Sequence, residues 1–254
     1  MKRVTLLLLT ASLLPSCVLA WNTPGENFSG ELKLGGPVTS NVNPWVWKIG
    51  ERNDGLNVTY EPATRSGEQA IQVSLPASTI LLGKTVLTTP AGREGLTPRV
   101  TYGKNINGFK LEWSAPGIAD VMLPVMGNEH VLTGHLTFRI QAAAVLRHVV
   151  NDNPVYAGIY DDLKGNGLPG RAQVMIAEQT QGKLQAMFNG EEPAWLQEMT
   201  LSKTISLSRF SDASLKQVDG VYGAQVVAGR AELFLNGEIP SHWSVSLPIS
   251  IEYQ

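Results

Sequence analysis

A chain of 254 residues with a formal charge of −2 has no basic surplus, so a nucleic-acid footprint is not expected. Its single cysteine excludes a disulfide framework and a thiolate metal centre. The 25 glycines and 15 prolines favour short strands broken by turns over long helices.

Met1–Ala20 reads as a secretory signal. Lys2 and Arg3 precede an apolar run from Val4 to Leu14, and Val18-Leu19-Ala20 supplies small or compact cleavage residues. No later segment approaches the roughly 18 apolar residues a membrane helix needs, so the mature chain is expected to be exported, to begin at Trp21 and to have no integral membrane segment. The one cysteine, Cys17, lies inside this signal. Leu14-Pro15-Ser16-Cys17 has the outline of a lipoprotein processing site, which leaves lipidation at Cys17 as the alternative to cleavage after Ala20.

The first mature stretch alternates. Phe28, Gly30, Leu32, Leu34, Gly36 and Val38 fall on one parity, and Asn27, Ser29, Glu31, Lys33 and Gly35 on the other. That is a strand with one apolar face, and Gly30 between large apolar residues suits close passage over another backbone. Two readings stay open: an ordinary strand of the same sandwich, or a strand that completes another copy of the molecule.

Short runs follow, predicted as strands at Trp45–Ile49, Leu56–Tyr60, Ile71–Leu75, Thr79–Leu82, Phe109–Trp113, Val121–Val125, Leu136–Ala143, Leu201–Leu207, Gln225–Val227, Ala231–Leu235 and Trp243–Tyr253. Gly- and Pro-containing turns separate them, the pattern of a β-sandwich or barrel. Residues from about 150 to 200 are richer in turns and read as an insertion, a common location for binding. Pro193 at a first helical position predicts a short helix over Glu192–Met199. Ser211 predicts a cap for another over Asp212–Val218, closed by Gly220.

The last strand alternates as strictly as the first. Val245, Leu247, Ile249, Ile251 and Tyr253 share one face; Ser246, Pro248, Ser250 and Glu252 share the other. Proline cannot donate to a ladder, which puts this strand at a sheet edge. An apolar edge strand invites pairing with another chain and needs a cover.

Chemistry is sparse. His130 and His135 next to Glu129 lack zinc spacing and a third ligand. A calcium loop starting at Asp162 would have Lys164 and Gln173 where acidic ligands belong. No nucleophile elbow, phosphate loop or dinucleotide fingerprint is present. No enzyme, cofactor or metal is expected.

Several stretches together resemble the Fae-type fimbrial subunits of enteric bacteria, built by the chaperone–usher route, and their minor subunits of FaeH type in particular. They are Trp21-Asn22-Thr23-Pro24-Gly25-Glu26-Asn27-Phe28-Ser29-Gly30, Asn43-Pro44-Trp45-Val46-Trp47-Lys48, Leu81-Leu82-Gly83-Lys84-Thr85, Thr89-Pro90-Ala91-Gly92-Arg93-Glu94-Gly95-Leu96, Tyr160-Asp161-Asp162-Leu163, Phe210-Ser211-Asp212-Ala213-Ser214-Leu215 and the Ser246–Gln254 terminus. Ser241 stands where many pilins carry a glycine.

The resemblance implies an all-β fold, an incomplete immunoglobulin-like β-sandwich (the pilin fold) with an N-terminal donor strand and a mid-chain insertion containing short helices. It implies a signal peptide at 1–20, a donor-strand extension at 21–40 and a sandwich domain at 41–254 with the insertion at about 150–200. Phe28, Gly30, Leu32 and Leu34 would be the donor residues. Val245, Leu247, Ile249, Ile251 and Tyr253 would line the groove edge and contact the chaperone. A periplasmic chaperone, an outer-membrane usher and other fimbrial subunits would be the partners, and the cell-surface fimbrium the destination. The alternative is a carbohydrate-binding adhesin. In it Tyr156, Tyr160, Asp161, Asp162 and Trp195 of the insertion would hold a host glycan on an aromatic platform with carboxylate acceptors.

Overall fold

A 19-residue strand, β8 (Leu132–Val150), is the spine to which most of the other strands attach. The computed structural model describes residues 42–51, 53, 55, 56, 58, 69–128, 131–163, 167–236 and 239–254. The predicted signal, the donor extension and most of the predicted Leu56–Tyr60 strand lie outside these residues.

Before the spine come β1 (Trp45–Ile49), β2 (Gln69–Leu75), β3 (Ser78–Thr85), β4 (Thr89–Ala91), β5 (Pro98–Tyr102), β6 (Lys110–Ala115) and β7 (Ile118–Met126). After it come β9 (Asn153–Tyr160), the helix α1 (Ala177–Phe188), β10 (Leu201–Ser206), β11 (Lys216–Val226), β12 (Gly229–Leu235) and β13 (Ile249–Tyr253). One edge of β8 pairs with β12 and then β11; the other pairs with β7 and then β9. The large sheet runs β1-β3-β11-β8-β12-β2, and β5 and β13 form a second sheet. The fold is an all-β sandwich.

The main core lies on one face of the spine. Ile140, Ala142, Ala144 and Leu146 meet Trp45, Leu81, Val100, Tyr102, Val121, Leu123 and Tyr222 there. Two phenols are buried in this core. The Tyr102 and Tyr222 hydroxyls lie 2.7 Å apart, and Tyr222 donates to the Gly167 carbonyl at 2.8 Å, so neither is left unpaired. Burial pushes both phenols above their ordinary pKa.

Beyond Arg139 the spine loses its alternation: every residue from Ile140 to Leu146 is buried. The outer face here is covered by α1. Leu184, Met187 and Phe188 of the helix pack on Leu82, Ala143, Val145 and Val221, and burying each is worth about 1.5–3 kcal/mol. Gly223 permits the approach, because a Cβ there would lie 2.7 Å from Met187 Sδ and 2.9 Å from Leu184 Cδ2. The helix stops at Asn189, which takes the left-handed conformation at φ 49° and donates to the Gln185 carbonyl.

Two helix expectations need correction. Over Glu192–Met199 only a three-residue 3-10 turn forms, Ala194–Leu196. Asp212–Val218 is not helical: Ser211 ends a 3-10 segment, Leu207–Ser211, and β11 begins at Lys216. Asp212 instead accepts from the Ser214 amide at 2.8 Å in a local turn, while Lys216 and Val218 find ladder partners in β4. The predicted Gln225–Val227 strand is thus the tail of a much longer one. The stretch from about 150 to 200, expected to be an insertion, contains β9 and α1, neither of which was expected from the sequence.

His148 is 3% exposed on the spine, and neither ring nitrogen has a hydrogen-bond partner among the described residues. It faces Val155 of β9 across the ladder, with Lys203 on β10 and Arg209 of the 3-10 segment as the nearby cations. Burial is the largest cause of its lowered pKa; Lys203 and Arg209 act in the same direction, and the Val149 backbone opposes them. A base whose folded pKa is depressed stabilises the fold in its neutral form, so this stability is present above the unfolded pKa of about 6.5 and is lost as pH falls below it. Thermal unfolding against pH should therefore show a loss beginning near pH 6.5 that His148→Leu lacks. The carboxylates of Glu191, Asp212 and Glu252, held low by their hydrogen-bond partners, respond only in more acid solution. Parallel profiles for the two proteins would refute the assignment.

Candidate assembly site

The chain end from Trp243 onward changes sheets along its length. Ser244 exchanges backbone hydrogen bonds with Met126 at the end of β7, at 2.9 and 2.8 Å. Five residues later the same chain has become β13 and pairs antiparallel with β5, Ile249 opposite Tyr102 and Tyr253 opposite Pro98. The regular ladder is therefore shorter than the predicted Trp243–Tyr253 strand. Pro248 costs no ladder bond, and its carbonyl accepts from the Gly103 amide at 2.9 Å.

Alternation survives the change of sheet. Val245, Leu247, Ile249 and Ile251 are half-buried against the main core, while Ser244, Ser246 and Pro248 are exposed. Tyr253 is 39% exposed. Among the described residues β13 has one strand partner, β5, so one row of its backbone groups is unpaired within them.

β1 is the second strand of this kind, with β3 as its one partner among the described residues. Its inward parity is Trp45, Trp47 and Ile49, whose exposure rises along the strand from 6% at Trp45 to 66% at Ile49. The two indoles stack with centroids 5.2 Å apart, and Trp47 lies over Gly83, where a Cβ would come within 2.3 Å of the ring. Trp47 Nε1 donates to Tyr253 Oη at 2.8 Å, joining β1 to β13. The strand at Trp45–Ile49 was expected from the sequence, but its proximity to the C-terminal strand was not. Phe28, Gly30, Leu32 and Leu34, expected as donor residues, lie outside the described residues.

Of the five residues considered for a glycan, Tyr156, Tyr160 and Trp195 are each engaged by a neighbouring side chain. Tyr156 and Trp195 stack at 5.8 Å, both half-buried against the α1 cluster. Tyr160 shares the face of Tyr156 on β9, with the Arg171 guanidinium 5.8 Å from its ring centroid. The carboxylates already have local partners: Asp161 accepts from the Leu163 amide at 2.8 Å, and Asp162 accepts from both the amide and the hydroxyl of Ser208. No group of acidic, histidine or cysteine side chains suited to a metal occurs among the described residues. His135 stacks on Phe234 at 4.5 Å. Among the described residues no helix is long and apolar enough to cross a membrane.

Over residues 1–254 the chain matches the family described as "Fimbrial, major and minor subunit". It is 63% identical over 254 residues, the whole of both chains, to the Escherichia coli protein described as "K88 minor fimbrial subunit FaeI". With a sandwich fold and a family match from end to end, this chain belongs to the fimbrial major and minor subunit family.

Proposed function

We propose that this protein is a minor structural subunit of a chaperone–usher fimbria that polymerises by donor-strand exchange. The observation that carries this reading is β13, an apolar strand half-buried on one face with a single ladder among the described residues. An added strand supplies main-chain hydrogen bonds for affinity and side-chain pockets at alternate positions for specificity. Phe28, Leu32 and Leu34 are the plugs and Gly30 the close-approach residue. Val245, Leu247, Ile249, Ile251 and Tyr253 form the edge that receives them.

On this reading residues 1–20 are removed on export, 21–40 are the donor extension, and 41–254 are the acceptor domain. A periplasmic chaperone lends its own strand to the same edge first, and the outer-membrane usher exchanges it for the next subunit's extension. The minor-subunit assignment follows the relative described as FaeI, whereas the stretches spread along the chain resemble the FaeH type. A glycan-binding role is less well supported, because Trp195 packs on Tyr156 and both carboxylates have local partners.

Thermal unfolding of residues 41–254 with and without a peptide spanning Thr23–Ser40 tests the reading. The domain alone should unfold at a low midpoint that the peptide raises strongly. A domain that is stable alone and indifferent to the peptide is complete by itself, and the mechanism fails.

A further inference from the structure

We propose that the outer face of the sheet over β6, β7, β8 and β12 is a self-complementary charged surface that pairs with the same face of a second copy of this chain, about a two-fold axis running across the strands. The contact joins copies sideways. It is separate from strand exchange, because this face points away from the core against which β13 packs.

Strand register lays the charges out in two rows. Leu111 and Trp113 of β6 and Val121 and Leu123 of β7 pack on the main core, whereas Lys110, Glu112 and Asp120 are exposed on the other side. Thr137 and Arg139 of β8 and Arg230 and Glu232 of β12 share that outer side. Read across paired residues, the first row is Lys110, Met122, Thr137, Glu232 and Gln72, positive at β6 and negative at β12. The second row begins Glu112, Asp120, Arg139, and Arg230 lines the same shallow depression as Asp120, Arg139 and Glu232. Its order is reversed, negative at β6 and β7 and positive at β8 and β12.

The pattern is not neutralised within the described residues. Glu112 and Asp120 are direct cross-strand partners, an unfavourable arrangement for like charges. Among the described residues Lys110, Glu112, Asp120, Arg139 and Arg230 form no ion pair. The Glu232 carboxylate accepts from Gln72 Nε2 at 3.2 Å.

Rows of opposite polarity fix how a second copy sits. A two-fold axis between the rows, and parallel to them, exchanges the rows while keeping each strand over its counterpart. Lys110 of each copy then meets Glu112 of the other, and Arg230 meets Glu232. An axis along the strands is ruled out by α1. The helix covers the same face of β8 farther along, over Ala143 and Val145. Packed sheets lie about 10 Å apart, so that axis would put the two helices in one space, whereas the axis across the strands sends them to opposite ends.

The contact is small. Four strands about 4.8 Å apart and about five residues long cover roughly 300 Å² per copy, against about 800 Å² per partner in a standard interface. Pairing is therefore weak, carried by charge and sensitive to salt. A contact made by the same patch on both copies closes on itself, so it does not lengthen a filament.

Sedimentation of the chain beginning at Trp21, at about 20 mM and about 0.5 M salt, tests this. Strand exchange rests on apolar plugs and should be indifferent to the change. Face pairing should appear as association at low salt that high salt weakens by about tenfold or more. Glu112→Lys sets lysines against lysines and should weaken the low-salt association by about tenfold or more, without lowering the thermal midpoint. Lys110→Glu combined with Glu112→Lys exchanges charge between the rows and restores opposite charges across the axis. It should recover association to within about threefold of the unchanged chain. An axis along the strands predicts a loss instead, since Glu232 and Arg230 would then face the exchanged pair. The proposal is overturned if the unchanged chain shows no salt-reversible association, if Glu112→Lys associates as well as the unchanged chain, or if the double exchange is as weak as Glu112→Lys alone.

Discussion

Replacing Asp219 with alanine should lower the free energy of unfolding by about 3–5 kcal/mol, the range for removing one partner of a buried ion pair. Asp219 is 5% exposed and lies at the irregular start of β11, where the register slips between Lys216 and Asp219 and Gln217 takes φ 49°. Its carboxylate accepts from Arg147 Nη1 at 2.6 Å and Thr88 Oγ1 at 2.9 Å, with Thr85 Oγ1 more distant at 3.4 Å. Thr85 Oγ1 in turn accepts from the Gly220 amide at 3.1 Å. One carboxylate thus ties β3, β8 and β11 together where the ladder is weakest. Without it the Arg147 guanidinium keeps its charge in a partly buried place, and its Nε already lacks a hydrogen-bond partner among the described residues. Because the cost comes from the orphaned charge, Asp219→Leu combined with Arg147→Met should recover most of the loss. Chemical denaturation of the three proteins measures this. A loss below about 1 kcal/mol for Asp219→Ala would mean the pair is effectively solvated.

The sequence was legible wherever burial is one-sided. β2, β6, β7 and β12 each have one face on a core and one in water, and period-two alternation locates them without knowledge of their neighbours. The same holds for Val245 to Ile251. Legibility failed where a second layer covers the sheet. Ile140–Leu146 is buried on both faces because α1 lies behind it, so alternation vanishes in the middle of the spine. The helix itself is hard to see: its apolar side is Leu184, Met187 and Phe188 near one end, with Gly182 between them and the N-terminus. At Asp212–Val218 a cap residue with a glycine beyond outweighed the strand signal, since the β4 and β8 partners that make Lys216–Val226 a strand lie far away in sequence. For the assembly site, the parity of β13 is local information, whereas the position of Trp47 beside Tyr253 depends on the whole sandwich.

Binding of the donor segment should alternate in its sensitivity to substitution with a period of two. In a peptide spanning Thr23–Ser40, alanine at Phe28, Leu32 or Leu34 removes a plug worth about 1.5–3 kcal/mol, or about 10- to 150-fold in affinity. Alanine at Asn27, Glu31 or Lys33 should change affinity by about twofold at most, because those side chains face water in an added strand. Gly30→Val separates this from a general preference for greasy peptides. It adds apolar surface, so loose hydrophobic association would tighten, whereas a strand passing closely over another backbone has no room for a branched Cβ and should lose affinity. Sensitivity at spacings of three and four would indicate a helix laid in a groove. Changing the peptide alone leaves the folding of the acceptor domain untouched. Any loss then reports the contact along β13, and a flat profile would remove the basis for treating residues 21–40 as a donor strand.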